Sequence, residues 1–272
     1  MTGAVDDALV IVGGGQMGAA LAAGIARRAS AGGATGRLVI VEASAERRAA
    51  LPVLLPSVTV VAELPACRDA IIAVKPADVV AVAAALGAHG ARRVVSVAAG
   101  VTTAAIAAAA GPAVEVVRAM PNTPALVGEG ATAIAPAAGC AAATLAWARG
   151  LMESVGRVVE VDERLMDAVT GVSGSGPAYV YMLAEALIDA AVAEGLAPRD
   201  ADALVRQLLV GAAALWARDD SSPATLRQRV TSPNGTTAAA VAELDRSGFR
   251  EIVARAVRAA TARSRELGDT KP

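Results

Sequence analysis

At 272 residues the chain is long enough for about two domains, and with 55% hydrophobic but only 2% aromatic residues its core must be built from Ala, Val and Leu, whose small side chains let elements pack closely. Twenty-five basic residues balance 26 acidic ones for a net charge of -1, which gives nucleic acid no overall attraction. A single histidine, His89, and two cysteines, Cys67 and Cys140, exclude His-based triads, multi-His metal centres and a disulfide framework.

Residues 1–7 carry two aspartates and no basic region, so no secretory signal is read there and a cytoplasmic location is expected. From residue 8, short β-branched runs alternate with alanine-rich stretches: 8–12, 38–41, 58–61, 70–74, 94–97 and 114–117. That alternation predicts a mostly parallel sheet, and runs that are largely continuous in apolar residues rather than alternating predict strands covered by helices on both faces. Two shorter runs, 132–135 and 157–161, extend the sheet. The uncharged stretches 94–114 and 130–148 are interrupted by glycine and proline and read as strand, turn and helix, so no membrane association is expected. After Asp162 helical periodicity takes over. The expected organisation is an α/β domain over 1–161 and an all-helical domain over 162–272.

In the second part Pro177 opens a helix over 178–194, which Gly195 closes. Most of its positions are apolar, and a helix apolar nearly all round needs burial that a small domain cannot supply, so a subunit interface is expected. The last helix, 249–267, is Arg-rich with one solvated face.

The first strand runs into Gly13-Gly14-Gly15-Gln16-Met17-Gly18 and then into small residues, which is the GxGxxG pattern in a strand–turn–helix setting. Gly13 permits the tight turn, Gly15 admits a pyrophosphate to the backbone, Gly18 allows close helix–strand packing, and the helix N-terminus supplies N–H donors around Gln16 and Met17. A dinucleotide is the expected ligand. Glu42, at the end of the second strand, stands where an acid accepts hydrogen bonds from the adenosine ribose, which favours NADH; Arg47 and Arg48, a helical turn on, offer cations to a 2′-phosphate instead. Val74-Lys75-Pro76 and Ala98-Ala99-Gly100 sit at strand C-termini, the edge where open α/β sheets bind ligands, and are expected to line the cofactor crevice; a helix-start lysine is the structural alternative for Lys75. His89, Cys67, Cys140, Trp147 and Trp216 read as surface, inert or packing residues.

Three further motifs complete the pattern: Arg118-Ala119-Met120-Pro121-Asn122-Thr123-Pro124, then Gly171-Val172-Ser173-Gly174-Ser175-Gly176-Pro177-Ala178-Tyr179, then Val230-Thr231-Ser232-Pro233-Asn234-Gly235-Thr236-Thr237. With Ala73-Val74-Lys75-Pro76, Ala98-Ala99-Gly100-Val101-Thr102 and Gly248-Phe249-Arg250, in order, they make the chain resemble the pyrroline-5-carboxylate reductase family over nearly its whole length. The resemblance implies a Rossmann-type N-terminal domain holding NADPH or NADH, with NADPH slightly favoured by the family. It also implies a helical C-terminal dimerisation domain, a homodimer or a decamer of such dimers, and reduction of a cyclic imine carboxylate to L-proline, the last step of proline biosynthesis. On the matching positions Ser232, Gly235 and Thr236 would hold the substrate carboxylate, Thr237 would act at the ring nitrogen as the catalytic group, Glu163 would lie on the substrate side and Asn122 beside the nicotinamide. No metal is implied. One departure stands out: where the family has two glycines after Ser-Pro, this chain has Asn234-Gly235. Asn tolerates positive φ, so the loop can keep its shape, while the added bulk opens the alternative of a different cyclic imine. A catalytically silent dinucleotide-binding relative is the other alternative.

Overall fold

The computed structural model describes residues 8–30 and 36–269; residues 1–7, on which the cytoplasmic expectation rests, lie outside them. In chain order the first part runs β1 (Leu9–Val12), α1 (Gln16–Ser30), β2 (Leu38–Val41), α2 (Ala45–Leu54), β3 (Thr59–Val61), β4 (Asp69–Ile72), α3 (Val79–Ala88), β5 (Arg93–Ser96), α4 (Thr103–Ala110), β6 (Glu115–Met120), β7 (Gly130–Pro136), α5 (Ala142–Met152) and β8 (Gly156–Glu160). The eight strands form one sheet in the order β3-β2-β1-β4-β5-β6-β7-β8. All pairs are parallel except β6–β7. The order reverses direction between β1 and β4, the switch point where such sheets bind ligands.

The β-branched runs form these strands because both faces are covered. Leu9 and Ile11 of β1 join Ile40, Ile71, Val95, Val117 and Ile134 in a core closed by Leu21 and Ile25 of α1 and Met152 of α5. Val10 and Val12 join Ala70, Ile72, Val94 and Val116 on the opposite face, closed by Val79 and Leu86 of α3 and Ile106 of α4. Successive side chains of a strand point to opposite faces, so a run of Val and Ile serves both cores, each fully buried side chain contributing about 1.5–3 kcal/mol. The scarcity of aromatics is met by close approach: a Cβ on Gly87 of α3 would overlap the Ala110 carbonyl at the end of α4.

The remaining helices are α6 (Met166–Val169), α7 (Gly176–Ala193), α8 (Pro198–Arg218), α9 (Pro223–Arg229), α10 (Thr236–Arg246) and α11 (Phe249–Asp269), with a π-turn over Thr170–Gly174 before α7. By packing, the chain divides into a sheet unit, which takes residues up to Ser175 and returns from Ala259 onward, and a helical unit over Gly176–Arg258. The strand signal ends near residue 162, whereas packing groups the short turns of 163–175 and the last part of α11 with the sheet. In the helical unit α7 packs along α8. No residue of α7 is buried within the chain, and Tyr181, Met182 and Leu183 are exposed, as is Trp216 of α8. Among the described residues one helical stretch, Glu163–Ala193, is long and apolar enough to cross a membrane by length and composition.

Candidate active site

The glycine turn sits at the C-terminal end of β1 in the sheet unit. Gly13 takes φ 107° and its N–H donates to the Val41 carbonyl at 2.8 Å, closing β1 onto β2. A Cβ on Gly18 would overlap the Gly13 carbonyl oxygen, so the turn lies directly against α1. Above Gly15 the space is open: a Cβ there would meet only an Arg47 Nη1, at 3.9 Å. The first helical hydrogen bond of α1 runs from Ala19 N–H to Gly15 O, which leaves the N–H groups of Gln16, Met17 and Gly18 outside the helix ladder. Open space over Gly15 and unpaired donors at a helix N-terminus are what a pyrophosphate requires, so the residues present fit a dinucleotide. Glu42 is buried at the end of β2, with Oε2 accepting Gly14 N–H at 2.9 Å and Oε1 accepting Ser44 N–H at 2.8 Å.

Further along the same sheet edge, Lys75 and Pro76 after β4 face Gly100, Val101 and Thr102 after β5 across a cavity of about 530 Å³, closed at one side by Leu267 and Gly268 of α11. Gly100 has φ 77° and a Cβ on it would lie 3.2 Å from the Gly268 nitrogen. Lys75 and Gly100 thus share one cavity with the last turn of α11, while Val74 and Ala99 adjoin its walls in sequence without lining it.

Glu163 is drawn into a buried cluster. Its carboxylate accepts from the Thr103 N–H at 2.7 Å and the Thr103 hydroxyl at 2.6 Å, capping α4, and it pairs with Arg118 of β6 at 3.6 Å. Arg118 is 4% exposed and its Nη2 has no hydrogen-bond partner among the described residues. Asn122 is likewise buried. Its carbonyl accepts Ala131 N–H at 2.9 Å and its amide donates to Ser173 O at 3.0 Å, so it ties the start of β7 to the π-turn. Arg118 and Thr103 were not singled out for a role in the sequence, although a charged residue inside the run Val-Val-Arg-Ala-Met is a visible signal that a partner must exist.

In the helical unit, α9 leads through Val230 and Thr231 to the turn that starts α10. Gly235 N–H donates to Ser232 O at 3.1 Å, and a Cβ on Gly235 would run into the Ser232 hydroxyl. The first helical bond of α10 is Ala239 N–H to Gly235 O, with no side-chain cap, so the N–H groups of Thr236, Thr237 and Ala238 are outside the ladder. Ser232, Gly235, Thr236 and Thr237 are therefore brought together around donors that suit a carboxylate. Asn234 takes φ 60° and is the one non-glycine residue at positive φ among the described residues. Left-handed backbone costs Asn about 1 kcal/mol relative to Gly. Asn234→Gly is expected to leave substrate KM unchanged or lower, read by steady-state kinetics; a severalfold rise would show that the amide itself contacts the ligand.

A switch-point sheet with an open glycine cradle, followed in the chain by a helical unit, is the arrangement of a dinucleotide-dependent oxidoreductase of the Rossmann type. Residues 8–100 match the family described as NADP oxidoreductase coenzyme F420-dependent, and residues 163–267 match Pyrroline-5-carboxylate reductase dimerisation. Pyrroline-5-carboxylate reductase from Mycobacterium leprae is 41% identical over 287 aligned positions, covering 95% of this chain and 96% of that protein; the Synechocystis protein of the same name is 49% identical over 200, covering 73% and 74%. The solved structure of a pyrroline-5-carboxylate reductase from Coxiella burnetii superposes with a TM-score of 0.87 at 31% identity, covering 96% of this chain and 98% of that one. A Plasmodium falciparum pyrroline carboxylate reductase with NADP bound gives 0.79 at 29% identity, covering 96% and 100%. The chain belongs to the pyrroline-5-carboxylate reductase family. It uses NAD(P)H and carries that family's dimerisation region.

Proposed function

We infer that the chain reduces 1-pyrroline-5-carboxylate to L-proline with NAD(P)H, the final step of proline biosynthesis. The observation that carries this reading is family membership across both units, joined to an intact Ser232–Gly235–Thr236–Thr237 turn. Bound NAD(P)H supplies the hydride, which is delivered to the imine carbon while the ring nitrogen becomes a secondary amine. A protonated imine is already electrophilic, so orientation is the main demand on the protein, and a chain with one histidine can meet it.

The residue roles follow from what each group offers. The glycine turn with Gln16 and Met17 takes the pyrophosphate, and Val74, Lys75 and Ala99 flank the crevice beyond it. The Ser232 hydroxyl and the N–H groups of Gly235 and Thr236 take the substrate carboxylate, and the Thr237 hydroxyl orients the ring nitrogen. Asn122 supports the nicotinamide side from its braced position. Glu163 belongs to the substrate side through the α4 cap it makes. The intact turn favours an active enzyme over a silent relative, and Asn234 at φ 60° favours the family substrate over another cyclic imine.

The purified protein is expected to oxidise NADPH or NADH, followed at the nicotinamide absorbance, only when 1-pyrroline-5-carboxylate is added; a folded sample inactive with both cofactors would overturn the reading. Thr237→Val is expected to keep the fold and lower kcat/KM by roughly 5- to 150-fold, the scale of about 1–3 kcal/mol for an unpaired polar partner. Wild-type kinetics in that variant would remove Thr237 from the site.

A cytoplasmic homodimer, either by itself or as the unit of a decamer, is the proposed state. The exposed apolar residues of α7, Tyr181 and Met182 among them, support an interface resembling a domain core cut in half. Light scattering is expected to give a dimer or a multiple of it, and an active monodisperse monomer would contradict the proposal.

A further inference from the structure

At the edge of the sheet opposite the glycine turn, where β4, β5 and β6 begin, lies a cavity of about 1010 Å³. Arg68, Arg92 and Arg93 line it, with Glu115 at the start of β6 and Ala143 and Thr144 of α5. Two of these charges are already satisfied. Arg93 donates from Nε to Asp69, its partner across β4 and β5, at 2.7 Å, and its guanidinium lies 4.5 Å from the centroid of the Trp147 ring. Glu115 accepts from the Ala141 N–H at 3.1 Å and from the Thr144 hydroxyl. Arg68 and Arg92 differ: both are exposed, and neither side chain makes a hydrogen bond or an ion pair among the described residues. They stand side by side, one residue before the Asp69–Arg93 pair, with the Arg92 N–H donating to Arg68 O at 2.7 Å.

We propose that this cavity binds a small phosphate-bearing anion, gripped by Arg68 and Arg92 across the starts of β4 and β5. Like charges directly opposite each other on neighbouring strands repel, and the two acids beside them, Asp69 and Glu115, are engaged elsewhere. An anion between the two guanidinium groups turns that repulsion into attraction. Guanidinium binds phosphate oxygens through parallel N–H bonds, and strands about 4.8 Å apart bring two such groups within reach of one phosphate or of the adjacent phosphates of a diphosphate. No aromatic side chain is among the described residues that line the cavity, so it recognises charge and not a base. The strand ends that form it are the opposite ends from those carrying the glycine turn, Lys75 and Gly100, so an anion here and a dinucleotide there are held at the same time.

The test is calorimetric titration of the full-length protein with pyrophosphate in the presence of saturating NADPH, which keeps the probe off the glycine turn, with sodium chloride of equal ionic strength as the control. One pyrophosphate per chain is expected, and none of the heat is expected from chloride. Arg68→Ala and Arg92→Ala, both at exposed positions, are each expected to weaken pyrophosphate about tenfold, and the double variant to abolish its binding. Absence of binding to wild type, or binding that survives in the double variant, would overturn the proposal. Thermal unfolding gives a second measurement: Arg92→Gln is expected to raise the melting midpoint of the anion-free protein by removing the repulsion, and to lose the rise that pyrophosphate gives wild type. A lower midpoint in that variant would show that Arg92 serves the fold and not a ligand.

Discussion

Gly18→Ala is expected to cost on the order of 3 kcal/mol of stability and to abolish cofactor binding. The methyl group would occupy the volume of the Gly13 carbonyl oxygen, with Ala73 Cβ at 3.4 Å on another side, so the obstacle is backbone and no side chain can swing away. Relief requires α1 to lift from β1, which pulls on Gly13 at φ 107° and on its bond to Val41. The same movement separates the first-turn N–H groups of α1 from the cradle. Gly15→Ala is the matched control. Its methyl would enter open space, so thermal unfolding is expected to match wild type while NADPH affinity falls, because the methyl occupies the pyrophosphate's approach. A Gly18→Ala protein that melts with wild type and binds NADPH normally would show that α1 can shift at little cost.

The second large effect is expected from Glu163→Ala. Removing the carboxylate strips the Thr103 N–H and hydroxyl of their acceptor and leaves Arg118, with 5% of its side chain exposed, as an unpaired cation. Breaking a buried pair from one side is expensive; with Glu163 itself 27% exposed, a loss of about 2–4 kcal/mol is expected in denaturant unfolding. Arg118→Met in the Glu163→Ala background is expected to recover part of that loss, since it removes the stranded charge while filling the volume. Additive losses in the double variant would show that the two residues are not coupled. The kinetic readout separates roles: Glu163→Gln, which retains an acceptor for Thr103, is expected to change substrate KM only if the carboxylate also faces substrate.

The sheet was legible because its strands are buried on both faces. Runs such as 38–41 admit no amphipathic helix, and β2 spans that run. The reversed direction of β7 was legible in principle, since the nine residues from Pro121 to Glu129 are too few for the helical crossover a parallel pair needs. The glycine turn carried its own geometry, because only glycine allows φ 107° at residue 13 and the close contact at residue 18. Long-range pairing was not legible. Arg118 announces a need for a counter-charge without naming Glu163, and helical periodicity in 249–267 identifies an apolar face without its partner. That partner is fixed by contacts far apart in sequence: the Ser264 hydroxyl donates to Asp167 at 2.7 Å, and Gly268 meets Gly100. Glu42 illustrates a subtler gap. Its position in the sequence suits a ribose ligand, and the two backbone N–H groups that engage it depend on a loop conformation no residue pattern records.

The return of α11 to the sheet unit has a consequence for the order in which the protein is made. On the ribosome the strands emerge first and the helical unit next, and the wall of the Lys75–Gly100 cavity contributed by Leu267 and Gly268 follows only after both. Until the segment from Ala259 to Gly268 emerges, a nascent chain holds an assembled glycine turn and an incomplete cavity, and a chain cut after Arg258 lacks that wall while keeping every strand of the described sheet.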